Sequence, residues 1–115
     1  MRPGRVDFNR AARASPQKEN RICACTVRDT RRTITSHTRL ARACARIRAD
    51  GFATDDGEDV EELRCVAAPI RDRDAAIVAS VGISAPLTRF PVSRYPIAAR
   101  EVTEAARRIS AALER

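Results

Sequence analysis

The side chains able to do chemistry are few, and their spacing limits what that chemistry is. Cys23-x-Cys25 with His37 and Cys44 is the one arrangement with a metal-ligand character. Structural zinc sites pair their ligands across two to four residues and then repeat the pair; here one residue separates the first two thiols and six separate His37 from Cys44. The spacing therefore indicates isolated thiols rather than a metal site. A Cys65 nucleophile with His37 as its base is the other reactive pairing. Cys65 lies in an apolar stretch, surroundings that disfavour the reactive thiolate, and nothing in the sequence brings His37 beside it, so no enzyme is read from the pair. Six carboxylates, Asp55, Asp56, Glu58, Asp59, Glu61 and Glu62, fall within eight residues. The run DDGEDVEE lacks the sixth-position glycine and twelfth-position glutamate of a calcium loop. It reads as a solvated acidic loop, with Asp55 the carboxylate best placed to turn inward. The last chemistry is in hydroxyls. Between Ala76 and Ser84, Val78, Ser80, Gly82 and Ser84 alternate with Ile77, Ala79, Val81 and Ile83. The first set is a small, partly polar face that either bounds a cavity or meets solvent on an open antiparallel sheet.

Those residues are positioned by the stretch Leu63 to Pro86, around which the chain is organised. Leu63 to Ile70 reads as a strand with Cys65 and Ala67 on one face and Val66, Ala68 and Ile70 on the other. Pro69 cannot donate to a ladder, so this strand lies at an edge or ends there. Arg71-Asp72-Arg73-Asp74 is the turn, and Ile77, Ala79, Val81 and Ile83 form the helix-packing face of the next strand. Upstream, Thr33 to Thr35 lead in extended, Ser36 or Thr38 caps a helix over 38–50, and Leu40, Cys44 and Ile47 recur at helical spacing. Gly51 suits the left-handed position after that helix, with Phe52 folding back on its last turn. Downstream, Ser93 caps a final helix with Pro96 in its first turn and a stripe of Ile97, Val102, Ala105, Ile109 and Leu113. The order helix, strand, strand, helix gives an α+β fold, an antiparallel sheet with helices packed on one face.

At 115 residues the chain is one domain with a modest core. It has neither an apolar run of about 18 residues nor the apolar block of a secretion signal, so a cytoplasmic protein with reduced thiols and no membrane partner is expected. The net charge of +7 sits at the front: residues 1–50 carry thirteen Arg or Lys against four acids, residues 51–115 nine against eleven. Residues 1–30 show no hydrophobic period and read as a basic, disordered segment, with a short strand at most over Arg21 to Val27. Such an arm attracts nucleic acid without sequence preference, and a small basic nucleic-acid-associated protein is the alternative reading of the whole. Phe8 is the arm's one aromatic, which leaves little for base stacking.

Residues 31–115 resemble the last part of the effector-binding domain of IclR-type bacterial transcription regulators. The resemblance is carried in order by Thr33-Ile34-Thr35, by Ile47-Arg48-Ala49-Asp50-Gly51-Phe52-Ala53 with Asp55-Asp56, by Leu63-Arg64-Cys65-Val66-Ala67-Ala68-Pro69-Ile70, and by Ile83-Ser84-Ala85-Pro86 with Arg89 behind it. It implies a partial GAF-like effector domain, and relatives that join such a domain to a winged helix-turn-helix, assemble as dimers or tetramers and sense small organic or aromatic acids. It also implies an effector pocket at Asp55, Cys65, Gly82 and Ser84, with no cofactor. Gly82 stands where the family has a serine, and Glu62, Ala75 and Ala85 stand where it has glycines. The helix-turn-helix and the first part of the effector domain have no counterpart in the resemblance. The expectation is thus a truncated regulator, a sensing and oligomerising fragment that self-associates or pairs with a full-length relative and meets DNA only indirectly or non-specifically.

Overall fold

A computed structural model describes residues 28–114. The basic segment, the strand read over Arg21 to Val27 and the thiols of Cys23 and Cys25 lie outside the described residues, except for the last few positions of that segment. The elements are α1 (His37–Asp50), β1 (Ala53–Asp56), β2 (Leu63–Arg71), β3 (Ile77–Pro86) and, after a 3₁₀ turn at Val92–Arg94, α2 (Tyr95–Leu113).

The start and stop signals of α1 act as the sequence suggests. Ser36 is the cap, its Oγ accepting from the N–H of Arg39 at 3.3 Å. Gly51 ends the helix at φ +82°, and its N–H donates to the carbonyl of Ile47 at 2.8 Å. Leu40, Cys44 and Ile47 pack with Ala53 in a small cluster. Phe52 reaches the larger core under α2.

The sheet is antiparallel with order β1-β2-β3. β1 was not legible as a strand: the sequence reads Asp55 and Asp56 as the start of a loop, yet both pair with β2. A four-residue strand carries too little apolar alternation to announce itself, and its partner supplies the stability. β2 is central over residues 64–67, where β1 pairs with it, and continues through Pro69 to Arg71 beyond the end of β1. The missing N–H of Pro69 thus falls where β1 no longer pairs. Two residues on, the N–H of Arg71 donates to Ser110 Oγ at 2.9 Å. A register shift between Ile70 and Arg71 bends the pairing with β3 before the turn.

One face of the sheet is closed by α2. Val66, Ala68 and Ile70 pack there with Phe90 and with Ala98, Ala99, Val102 and Ala106 of the helix, and Val81 and Ala85 of β3 lean on the same cluster. The stripe read from the sequence is wrong in phase except at Val102. Ile97, Ile109 and Leu113 are 40–51% exposed, and alanines make the contact. Alanine has little hydrophobic contrast in a sequence but lets helix and sheet approach closely, so the small residues face the sheet. Ser93 lies in the 3₁₀ turn, and α2 begins at Tyr95 without a side-chain cap.

Candidate functional site

Cross-strand pairing gathers the chemistry on the sheet face away from α2. Asp55 of β1 is opposite Cys65 of β2, and Cys65 is opposite Ser84 of β3, so three polar side chains form one row across the sheet. Cys65 Sγ lies 2.9 Å from Ser84 Oγ, and either can donate. The next row is Ala53, Ala67 and Gly82, small and without polar side-chain atoms. All four site residues read from the sequence therefore share a face, three in the polar row and Gly82 one step along it. Strand alternation brings this about: Asp55, Cys65 and Ser84 have the parity opposite to Val66, the deepest core residue, and must point away from α2.

Asp55 is fixed at one end of the row. Its Oδ1 accepts from the N–H of Glu58 at 2.9 Å, which folds the carboxylate back over the β1–β2 loop. The neighbouring Asp56, opposite Arg64, has a structural part. Arg64 Nε meets Asp56 Oδ1 at 2.7 Å, while its Nη1 donates to the Phe90 carbonyl at 2.9 Å. The Arg64 side chain is only 13% exposed, so it ties the acidic loop to the connection before α2. Sequence reasoning missed this clamp, although an arginine inside an apolar strand is the signal that could have found it.

Gly82 is shaped by its neighbours. A Cβ built on it would stand 2.9 Å from the Val66 carbonyl oxygen and 3.2 Å from Ala67 Cβ. The absent serine at this position is thus matched by tight strand packing, and the hydroxyls of the face are those of Ser80 and Ser84.

A cleft of about 580 Å³ lies elsewhere, lined among others by Asp50, Phe52, Tyr95, Ala99, Arg100 and Glu104. It shares no residue with the polar row. Tyr95 also packs edge-on against Phe90, with ring centroids 5.3 Å apart. Its buried hydroxyl has no hydrogen-bond partner among the described residues. Burial first, then the Asp56 carboxylate, pushes this phenol above its ordinary pKa, against the opposing Arg64 charge. The group stays a neutral O–H and holds the start of α2 against the core. The polar row, with its convergent side chains from three strands, is the better candidate for recognition.

Among the described residues no three His, Cys, Asp or Glu side chains gather as metal ligands. Cys44 is buried in the α1 cluster, and His37 is exposed at the first position of that helix. No described helix is long and apolar enough to cross a membrane.

Three comparisons bear on this arrangement. Residues 11–111 match the family described as bacterial transcriptional regulator IclR C-terminal, a match that begins ahead of the resemblance drawn from residue 31 onward. The HTH-type transcriptional regulator KdgR of Escherichia coli K12 is 39% identical over 84 residues, which is 73% of this chain and 32% of that protein. The chain thus spans about a third of that relative's length. The crystal structure of the C-terminal domain of E. coli KdgR superposes with a TM-score of 0.76 at 33% identity, covering 90% of this chain and 65% of that domain. The inducer-binding domain of the Acinetobacter transcription factor PobR, solved as a double mutant with 3-hydroxybenzoic acid, shares the fold with a TM-score of 0.81 at 11% identity, covering 90% of this chain and 61% of that one.

Proposed function

The chain belongs to the family of bacterial IclR C-terminal regulatory domains, and on that premise we propose that it is an effector-sensing and self-associating part of an IclR-type transcriptional regulator. It works in the cytoplasm as a regulator rather than an enzyme, and it takes a small organic acid on the open sheet face. The single observation that carries the reading is the alignment of Asp55, Cys65 and Ser84 across three strands beside the small row of Ala53, Ala67 and Gly82. A ligand with a polar head and a short apolar body fits these rows over β2 and β3, at Ala67 and Gly82, since Ala53 is covered by α1. Ser84 Oγ–H and backbone N–H groups bind the carboxylate, while the Asp55 carboxylate accepts from a hydroxyl on the ligand. These bonds gain strength only where water is excluded, so a second layer must close over the face.

Self-association supplies that layer in this reading. Val78 of β3, in step with Ser80 and Ser84, leaves apolar surface on that face, and Ile83 of β3 with Ile97, Ile109 and Leu113 of α2 leaves more on the α2 side, within the described residues, which favours pairing with a second copy or with a full-length relative. DNA contact belongs to that larger assembly. No helix-turn-helix occurs among residues 28–114, where the two helices are separated by the whole sheet.

Titration of the labelled chain with lactate and with 3-hydroxybenzoate, two hydroxy acids, followed by amide chemical shifts, tests the proposal. The expected result is saturable shifts at Asp55, Cys65 and Ser84 that Ser84→Ala weakens by about tenfold, the size of one hydrogen bond to a charged group. Shifts confined to the Tyr95 cleft, or none with either acid, would overturn it.

A further inference from the structure

The turn Arg28–Thr33 is anchored by two threonines that the sequence gives no reason to bury. Thr33 is 1% exposed and Thr30 9%. Thr33 Oγ1 accepts from the N–H groups of Asp29, at 3.1 Å, and Thr30, at 2.8 Å. Thr30 Oγ1 accepts from the N–H of Arg32 at 3.0 Å. With those lone pairs engaged, each hydroxyl has one proton to give. Thr30 gives it to the Gly57 carbonyl and Thr33 to the Glu58 carbonyl, both at 2.5 Å. A third tether runs from Arg32 Nη1 to Asp56 Oδ2 at 2.6 Å.

All three tethers grip the end of β1 and the start of the loop that follows Asp55. The peptide between Gly57 and Glu58 is held by Thr30 through its carbonyl and by Asp55 Oδ1 through the N–H of Glu58, while Thr33 holds the following peptide through the Glu58 carbonyl. Gly57 adopts φ +70°, and a Cβ there would stand 3.0 Å from the Glu61 carbonyl oxygen, so the loop has little freedom to take up slack.

We propose that Thr30 and Thr33 are positioning residues for Asp55: their hydroxyls lock the two peptides flanking Glu58, whose N–H in turn holds the Asp55 carboxylate at the end of the polar row. The chain entering this turn is thereby coupled to the effector site without touching the ligand. The ligand half of this inference rests on the effector reading above; the loop half stands on the geometry alone.

The test uses the full chain with Thr33→Val, which keeps shape and removes the hydroxyl, and Thr33→Ser, which keeps the hydroxyl. Thr30→Val makes the same test if Thr33→Val does not fold. Amide hydrogen exchange at Glu58 is expected to quicken by about tenfold in the valine variants and to return close to wild type in Thr33→Ser, with Val66 and Val81 unchanged. Unchanged exchange at Glu58, or equal acceleration throughout β2 and β3, overturns the lock. In parallel, affinity for lactate or 3-hydroxybenzoate is expected to fall about fivefold in the valine variants. Wild-type affinity alongside quickened Glu58 exchange overturns the positioning role. If the wild-type chain binds neither acid, the effector reading fails, and the exchange data still decide the lock.

Discussion

Along β2, Val66, Ala68 and Ile70 turn toward α2 and are buried, whereas Cys65 and Ala67, in alternation with them, turn the other way and stay half exposed. Neighbouring residues of one strand thus serve opposite ends. The closed face has aliphatic groups against a helix faced with alanine, and its energetics are those of burial, roughly 25 cal/mol for each Å² of apolar surface removed from water. The open face has a row of hydroxyl, thiol and carboxylate, the row proposed above to meet the effector. Period-two alternation is what allows a nine-residue strand to do both.

The largest effect that could break this comparison comes from the closed face. Val66 is 0% exposed, and Val66→Ala is expected to lower stability by about 2–3 kcal/mol, from lost burial and the void left behind. Ser84→Ala on the open face is expected to stay within about 0.5 kcal/mol of wild type. Urea unfolding monitored by circular dichroism measures both, and equal losses would mean that the two faces share one energetic role. The next effect sharpens the comparison. Gly82 is on the open face, yet Gly82→Ser is expected to cost about 1–2 kcal/mol because its Cβ meets the Val66 backbone oxygen rather than solvent. Wild-type stability in that variant would show that the strands part freely there. The smallest effect belongs to neither face. Ala75 holds φ +62° in the β2–β3 turn, and Ala75→Gly is expected to raise stability by about 0.5–1 kcal/mol, seen as a higher unfolding midpoint.

That turn also shows how far the sequence could be read. Glu62, Ala75 and Ala85 all stand at positions where the resembling family has glycine, but only Ala75 has positive φ; the other two are accommodated in ordinary backbone. Resemblance marks candidate positions, and only the backbone shows which of them is strained. The helix over 37–50 was legible because Ser36, Gly51 and the Leu40, Cys44, Ile47 spacing all point the same way. The two long strands were legible from alternation, and with them the shared face of Gly82 and Ser84; that Cys65 joins it follows from the pairing of β2 with β3. β1 was hidden by its acidic residues. The phase of α2 was hidden by alanines, which carry no pattern until a sheet is laid against them. The threonine contacts to residues 57 and 58 are long-range hydrogen bonds of polar side chains, and no local periodicity records them.

Where β1 stops, the outer half of β2 leaves, among the described residues, an edge on which a strand from another molecule would ordinarily add. Over that stretch Pro69 has no N–H to offer, and the N–H of Arg71 is already taken by Ser110. An approaching chain meets carbonyl oxygens but two silenced donors in succession, so it cannot complete the alternating ladder that fibrillar growth repeats. A proline and a serine reaching across from the helix thus act as an anti-aggregation guard, leaving the rest of the chain free to associate by more specific means.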